Sequence, residues 1–440
     1  MPTERSRVSV HDVMDLDDAL SRAVARYADA HPRSRALHER ARRVLPGGNT
    51  RSVLHIDPFP FRVADAAGAR LHDVDGHSYL DLLGDYSAGL LGHRPEPVAD
   101  AVTARLASGW SLGAMSEAEI ACAEAVAARF ASVDQVRFTN SGTEANLMAV
   151  MTARHATGRD RVVVFDGGYH GGLLYFGPGG GPLRAPFDYA VLEYNDLAAV
   201  EREFDAHGDR IACVLVEPML GASGCIPATD GFLHLLRECT RAHGAVLVFD
   251  EVMTSRLSVG GAQALTDVIP DMTTLGKYLA GGLTVGAFGG RAELMGAFDH
   301  DGGGLTHGGT FNNNAFTMAA AAVVNTLLVT GDVLADLNAR GDRLRRDLGA
   351  VFAQSSCDFS VTGWGSLSAI HPVAHPVRSP SDLADADDRW RQLFFHELLA
   401  AGCYLAPRGY VALSAAITDA DIDHVVAAVA AFCDRHRATA

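Results

Sequence analysis

Apolar residues recur at helical spacing from Asp15 to Ala30 and again from Ser34 to Val44, where Pro46-Gly47-Gly48 stops the pattern. Short strand-like runs follow at Phe61 to Val63 and Arg70 to Val74. Asp75-Gly76, between the second run and Tyr79 to Leu82, signals a hairpin. From about Gln135 the rhythm changes. Apolar runs at Val136 to Thr139, Arg161 to Phe165, Cys213 to Val216, Ala245 to Phe249, Thr273 to Leu275 and Val285 to Phe288 alternate with amphipathic stretches such as Glu144 to Thr157 and Phe232 to His243. This alternation predicts an α/β fold with a mostly parallel sheet covered on both faces. Ligands of such sheets lie at the carboxyl ends of the strands, so the polar residues just after each run carry the candidate chemistry. After about Thr330 the chain reads as helical again, with one long helix from Asp332 to Phe352 and a smaller α+β region beyond. Gly177 to Gly181 and Asp301 to Gly304 read as solvated connectors.

Composition narrows the class. The 440 residues suffice for more than one domain, and 48% hydrophobic with 20% charged residues excludes a disordered chain. The formal charge of −16 argues against a general nucleic-acid binder. Seven scattered cysteines without a C-x-x-C pair give neither a disulfide framework nor a structural zinc site, and no metal is expected. The first ten residues lack the apolar core of a signal peptide, and the longest apolar stretch, Ala315 to Val329, is interrupted by Asn325. A soluble chain in the reducing cytoplasm, with no membrane partner, is the expectation.

The basic residues are pointed. Of 37, only Lys277 is a lysine. Arginine serves for surface charge and anion binding but not as an amine nucleophile. Lys277 ends the run Thr273-Thr274-Leu275-Gly276. Asn140-Ser141-Gly142-Thr143-Glu144 follows an earlier one and opens a helix, where free N–H groups, the helix dipole and two hydroxyls can make an anion nest; read alone, an ordinary N-cap is the better explanation. Gly167-Gly168-Tyr169-His170-Gly171 offers an aromatic face, or simply a packed turn. Glu217 and Asp250 each end a very apolar strand, and a carboxylate so placed needs a cation or strong donors; Arg256 is one possible partner for Asp250. Anion nest, stacking ring, carboxylate and amine together match the phosphate, flat ring, ring nitrogen and aldehyde of pyridoxal 5′-phosphate (PLP).

In order along the chain, Asn140-Ser141-Gly142-Thr143-Glu144-Ala145-Asn146, Tyr169-His170-Gly171, Phe249-Asp250-Glu251-Val252-Met253 and Thr274-Leu275-Gly276-Lys277 resemble the class III aminotransferases, fold-type I PLP enzymes. The resemblance extends from about Arg40 onward. It implies a large PLP-binding domain at 86–329, a small α+β domain built from 1–85 and 330–440, and a homodimer with shared active sites. It implies that Lys277 forms the Schiff base and shuttles the proton, and that Ser141, Gly142 and Thr143 hold the phosphate. Thr310 would reach the partner subunit's phosphate. Tyr169 and Met253 would cover the two ring faces, Asp250 would pair with the ring nitrogen, and Glu217 would lie near the ring hydroxyl or around Asp250.

Within the class, Asn49-Thr50-Arg51-Ser52-Val53-Leu54, Gly221-Ala222-Ser223-Gly224-Cys225, Thr310-Phe311-Asn312-Asn313-Asn314 and Pro407-Arg408-Gly409 resemble the β-phenylalanine aminotransferases. There an arginine at the position of Arg51 binds the substrate carboxylate, a task suited to the guanidinium fork. The amino acceptor, an α-keto acid such as 2-oxoglutarate, places its carboxylate differently, and Arg51 and Arg408 are the candidates for meeting both demands. Tyr86 is a candidate for lining the side-chain pocket. His55 stands where a more apolar residue is usual. The implied reaction is transamination between a β-amino acid and an α-keto acid, in either direction. The alternatives are a glutamate-1-semialdehyde-type 2,1-aminomutase, a PLP-binding protein without turnover, and a carrier-tethered substrate.

Overall fold

The structure, a computed structural model, describes residues 10–178, 180–355 and 357–436. Its centre is a seven-stranded sheet: β1 (Gln135–Thr139), β2 (Arg161–Phe165), β3 (Asp188–Leu192), β4 (Ile211–Val216), β5 (Val246–Asp250), β6 (Met272–Gly276) and β7 (Gly286–Gly290). The spatial order is β1-β7-β6-β5-β4-β2-β3. Six strands share one direction, while β7 is antiparallel to both of its neighbours. The reason lies in the connection. A parallel return needs a crossover of about a dozen residues or more. Residues 277–285 hold only a short 3-10 turn, Lys277–Ala280, and a glycine pair, so the chain doubles back.

Strands β4 to β7 are buried along their whole length. Alternate side chains serve opposite layers. Val214, Val216, Leu247 and Phe249 pack with Leu233, Leu236 and Val200 on one face. Cys213, Leu215, Val246 and Val248 pack with Ala145, Ala149 and Ala153 of the helix Gly142–Thr157 on the other. This two-sided burial is why the runs read as continuously apolar. The edge strand β3 was not foreseen, because only Ala190 of its five residues is buried.

The chain's two ends share structure. Ser78–Asp81 pairs antiparallel with Arg70–Asp73, as the hairpin signal predicts, and parallel with Cys403–Tyr404. Helix Val10–Ala30 packs on helix Asp388–Ala400, and helix Gly331–Gln354 packs on helix Asp419–Arg435. The apolar stretch around Asn325 is a helix, Ala315–Val323, followed by a π-turn and bent by 81° against the next helix. Asn325 is buried and donates to the carbonyls of Leu279 and Ala321, each at 2.8 Å. Among the described residues no single helix is long and apolar enough to cross a membrane.

Because β1, β2, β4, β5 and β6 run the same way, their carboxyl ends open onto one edge. The nest, Tyr169, Glu217, Asp250 and Lys277 follow those ends in turn.

Candidate active site

Lys277 leaves β6 with φ 55°. A non-glycine residue in this left-handed region is uncommon, and such strain is characteristic of functional sites. The next residue anchors the turn: the Tyr278 hydroxyl donates to the Ser255 carbonyl at 2.9 Å and accepts from Arg129 at 2.9 Å. Burial pushes the Lys277 amine down to about 8, helped by Arg51 and Arg408 and opposed by Asp85 and Asp250. The amine therefore loses its proton far more readily than an ordinary lysine does.

Asp250, the last residue of β5, is buried and held by three donors. Oδ2 accepts from Asn146 Nδ2 and from His170 Nδ1, each at 2.8 Å, and Oδ1 accepts from the Val252 N–H at 3.0 Å. The Thr274 hydroxyl donates to Asn146 Oδ1 at 2.6 Å, which turns the amide's N–H groups toward Asp250. Arg256 is not its partner. That buried guanidinium bonds instead to Ser366 Oγ and to the Leu413 carbonyl. Asp250 has no arginine or lysine partner among the described residues. The three donors fix its orientation and leave it without a counter-cation, available to a cationic ligand.

Asn146, His170 and Thr274 had no such role in the sequence reading. Their signal was a polar residue on an otherwise small and apolar buried face. Asn146 lies among Ala145, Ala149 and Val150, and Thr274 lies inside the fully buried β6.

The nest caps its helix and keeps donors that suit an anion. Ser141 Oγ accepts from the Glu144 N–H at 3.2 Å, and Glu144 Oε2 accepts from the Asn140 N–H at 2.8 Å. This reciprocal cap uses the Ser141 lone pair and leaves its O–H free to donate. Gly286 of β7 passes beneath, where a Cβ would lie 2.1 Å from the Ser141 carbonyl oxygen. Gly171, at φ 110°, approaches so closely that a Cβ would lie 2.0 Å from Thr143 Oγ1. The Tyr169 loop is thereby pressed against the nest.

Glu217 staples the walls. Its Oε1 accepts from the Tyr169 N–H and its Oε2 from the Gly221 N–H, both at 2.9 Å. Gly221 in turn lies against Met253. Burial pushes the Glu217 carboxyl up to about 7, against the pull of His170 and with the push of Asp250. Both of its oxygens are thus taken by backbone, within the electrostatic reach of Asp250. Tyr169 presents its ring 40% exposed, edge-on to Tyr175 at 5.3 Å.

A second cluster borders Lys277. Residues 84–87 all have positive φ, including Asp85 at 46°, Tyr86 at 53° and Ser87 at 76°. This left-handed turn buries Tyr86, whose hydroxyl donates to the Val53 carbonyl at 2.7 Å. Two guanidiniums lie over its ring, Arg408 at 5.0 Å and Arg51 at 5.8 Å. Arg51 is paired with Asp85 at 2.6 Å, with both side chains about half exposed. Arg408 makes no ion pair among the described residues, and its Nε is buried without a partner. Arg408 is thus the freer anion receptor, a ranking that motif resemblance did not supply. Thr310 is exposed and distinct from this cluster.

These parts fit PLP. The nest suits a phosphate, Tyr169 and Met253 suit a flat ring, Asp250 suits a protonated ring nitrogen, and Lys277 suits an aldehyde.

Comparison with known proteins agrees. The family model for aminotransferase class-III matches residues 54–176 and 182–432. A β-phenylalanine transaminase of Variovorax paradoxus is 48% identical, over 96% of this chain and 98% of its own length. A crystal structure of a β-phenylalanine aminotransferase from Variovorax paradoxus superposes with a TM-score of 0.94 at 48% identity, covering 96% of this chain and 98% of that one. A glutamate-1-semialdehyde 2,1-aminomutase of Methanothermobacter thermautotrophicus is 38% identical, over 85% of this chain and 92% of its own length. The chain belongs to the class III aminotransferases, the PLP-dependent enzymes that its strand-end motifs resemble.

Proposed function

We propose that this enzyme exchanges the amino group of a free, β-phenylalanine-like β-amino acid with an α-keto acid such as 2-oxoglutarate. The observation that carries the reading is the pair of guanidiniums over Tyr86 beside Lys277. The 48% identity to a β-phenylalanine transaminase supports it. PLP supplies an aldehyde for amine exchange and a ring that takes up electrons. The chain's residues do the rest. Lys277 would take a proton from the amine-bearing carbon of the donor and, in the second half-reaction, deliver one to the corresponding carbon of the keto acid, and its lowered pKa suits a base. Asp250, held by Asn146 and His170, stabilises positive charge at the ring nitrogen. Ser141, Gly142 and Thr143 anchor the phosphate, and Glu217 holds Tyr169 and Met253 in place.

Arg51 receives the β-amino acid's carboxylate and Arg408 that of the keto acid. Arg51→Ala is expected to raise the KM for the β-amino acid about 10- to 100-fold, the range of a lost charge-assisted bond. Arg408→Ala is expected to raise the keto acid's KM by a similar factor. Steady-state kinetics with each substrate varied separately checks this split, and unchanged constants would remove the residue from its role.

The enzyme works as a homodimer in the cytoplasm. Trp110, Leu112, Met115 and Phe311 are exposed, and Trp110 stacks on Phe316 just beyond Thr310, which supports a covered face there. Thr310 contributes to the partner's phosphate site.

The first test uses holoenzyme and racemic β-phenylalanine without keto acid. The cofactor's absorption is expected to shift from the aldehyde form to the amine form, and 2-oxoglutarate should restore it. An unchanged spectrum would overturn the substrate. The second reading, a 2,1-aminomutase, draws on the 38% identical relative and needs no external acceptor. Turnover that does not depend on keto acid would favour it.

A further inference from the structure

A buried imidazole that the proposed reaction does not use has its tautomer fixed by one contact. His31 Nδ1 lies 2.6 Å from the Tyr27 carbonyl oxygen and must donate to it. In the neutral ring, Nε2 is then a bare lone pair. It faces the Tyr79 hydroxyl at 2.8 Å and Asp73 Oδ2 at 3.3 Å. Asp73 Oδ1 is filled by the N–H groups of Asp75 at 2.9 Å and His77 at 2.8 Å. Oδ2 is therefore aimed at the same point, which Tyr79 Oη approaches at 3.0 Å and His77 Nδ1 at 2.8 Å. Tyr79 can give its one proton to His31 Nε2 while His77 Nδ1 serves Asp73 Oδ2, so two imidazole nitrogens, a carboxylate oxygen and a phenol oxygen converge on one point.

We propose that His31 Nε2, Asp73 Oδ2 and His77 Nδ1 form a binding site for a divalent transition-metal ion of the Zn²⁺ type, with Tyr79 Oη or a water as fourth ligand. Imidazole and carboxylate are the donors such ions take. The three ligand atoms lie within 4.8 Å of one another. A tetrahedral zinc site with bonds of about 2.0–2.2 Å sets its ligands roughly 3.3 Å apart. Asp73 Oδ2 already stands 3.3 Å from His31 Nε2 and 2.8 Å from His77 Nδ1, and the part-exposed His77 can turn to widen the shorter gap. The bond from His31 Nδ1 to a backbone carbonyl is the outer-shell partner that orients metal-bound histidines. The expectation of no metal rested on cysteine spacing, whereas these donors are joined only by the fold.

The ion ties the junction of helices Val10–Ala30 and Pro32–Arg42 to the hairpin of Arg70–Asp73 and Ser78–Asp81. Beside it, Ser34 Oγ, Ser34 N–H and Arg33 N–H already bond to Asp75. Its role is to stabilise this part of the fold.

The test is calorimetric titration of Zn²⁺ into tag-free, chelator-treated holoenzyme, with metal content measured on the same sample. One equivalent per chain and a raised melting temperature are expected. Co²⁺ in its place should show the intense visible bands of a four-coordinate N/O site. His77→Ala should weaken binding about 100-fold or more, the upper range for losing even an outer-shell partner, while transamination by the metal-free protein stays unchanged. Tyr79→Phe should keep the ion with a smaller loss. Absence of binding at micromolar Zn²⁺, or one equivalent bound equally well by His77→Ala, would overturn the site.

Discussion

Lys277→Ala is expected to lower transamination by about 10⁴-fold or more, because one side chain serves both as the covalent partner of the aldehyde and as the proton carrier. No other side-chain amine can substitute, since Lys277 is the only lysine. The same uniqueness makes its ionisation measurable. In cofactor-free protein an amine-directed acylating reagent has only Lys277 and the N-terminus to modify, and peptide mapping separates the two. The charged amine is unreactive, and burial shifts its pKa down to about 8. Labelling at Lys277 should therefore rise as pH passes through about 8, well below the ordinary lysine value of about 10.4. PLP should protect the residue. Retained turnover in Lys277→Ala would remove it from the chemistry. A labelling midpoint near the ordinary value would mean that the amine is solvated rather than buried.

The residues that gave themselves away in the sequence are those whose type is irreplaceable at a strand end. Lys277 stood out by being alone. Asp250 stood out as a carboxylate ending the run Val246-Leu247-Val248-Phe249, and the nest by its small hydroxyl residues opening a helix. The sheet was legible for the same reason, since strands buried on both faces leave unbroken apolar runs. What escaped notice depends on contacts between distant segments. The reversal of β7 follows from the shortness of 277–285, which can be read only once β6 and β7 are known to pair. The edge strand β3 buries too little to show a pattern. The cradle of Asp250 draws on three separate elements, through Asn146, His170 and Thr274. The pairing of Arg51 with Asp85 could not be inferred from motifs, because it joins two distant segments at the left-handed turn of 84–87.

That cradle leads to the second large effect. Asp250→Asn keeps the shape and one acceptor but removes the charge. It is expected to reduce kcat by about 10²- to 10³-fold, the loss typical of deleting one preorganised electrostatic group, while the phosphate nest keeps the cofactor bound. With its oxygen in the place of Oδ2 the amide still accepts from Asn146 and His170 but turns its NH₂ on the Val252 N–H, and flipped it turns the NH₂ on both Asn146 and His170. Thr274→Val separates charge from orientation. It leaves Asp250 intact but strips Asn146 Oδ1 of its donor, a buried unsatisfied acceptor costing about 1–3 kcal/mol. Part of that cost should surface as a smaller fall in kcat, about tenfold, with KM nearly unchanged. The measurement is single-turnover conversion of β-phenylalanine by each variant loaded with cofactor. If Asp250→Asn converts substrate at the wild-type rate, the carboxylate only supports the fold. If Thr274→Val equals Asp250→Asn in effect, the orientation of the Asn146 amide matters as much as the charge it holds.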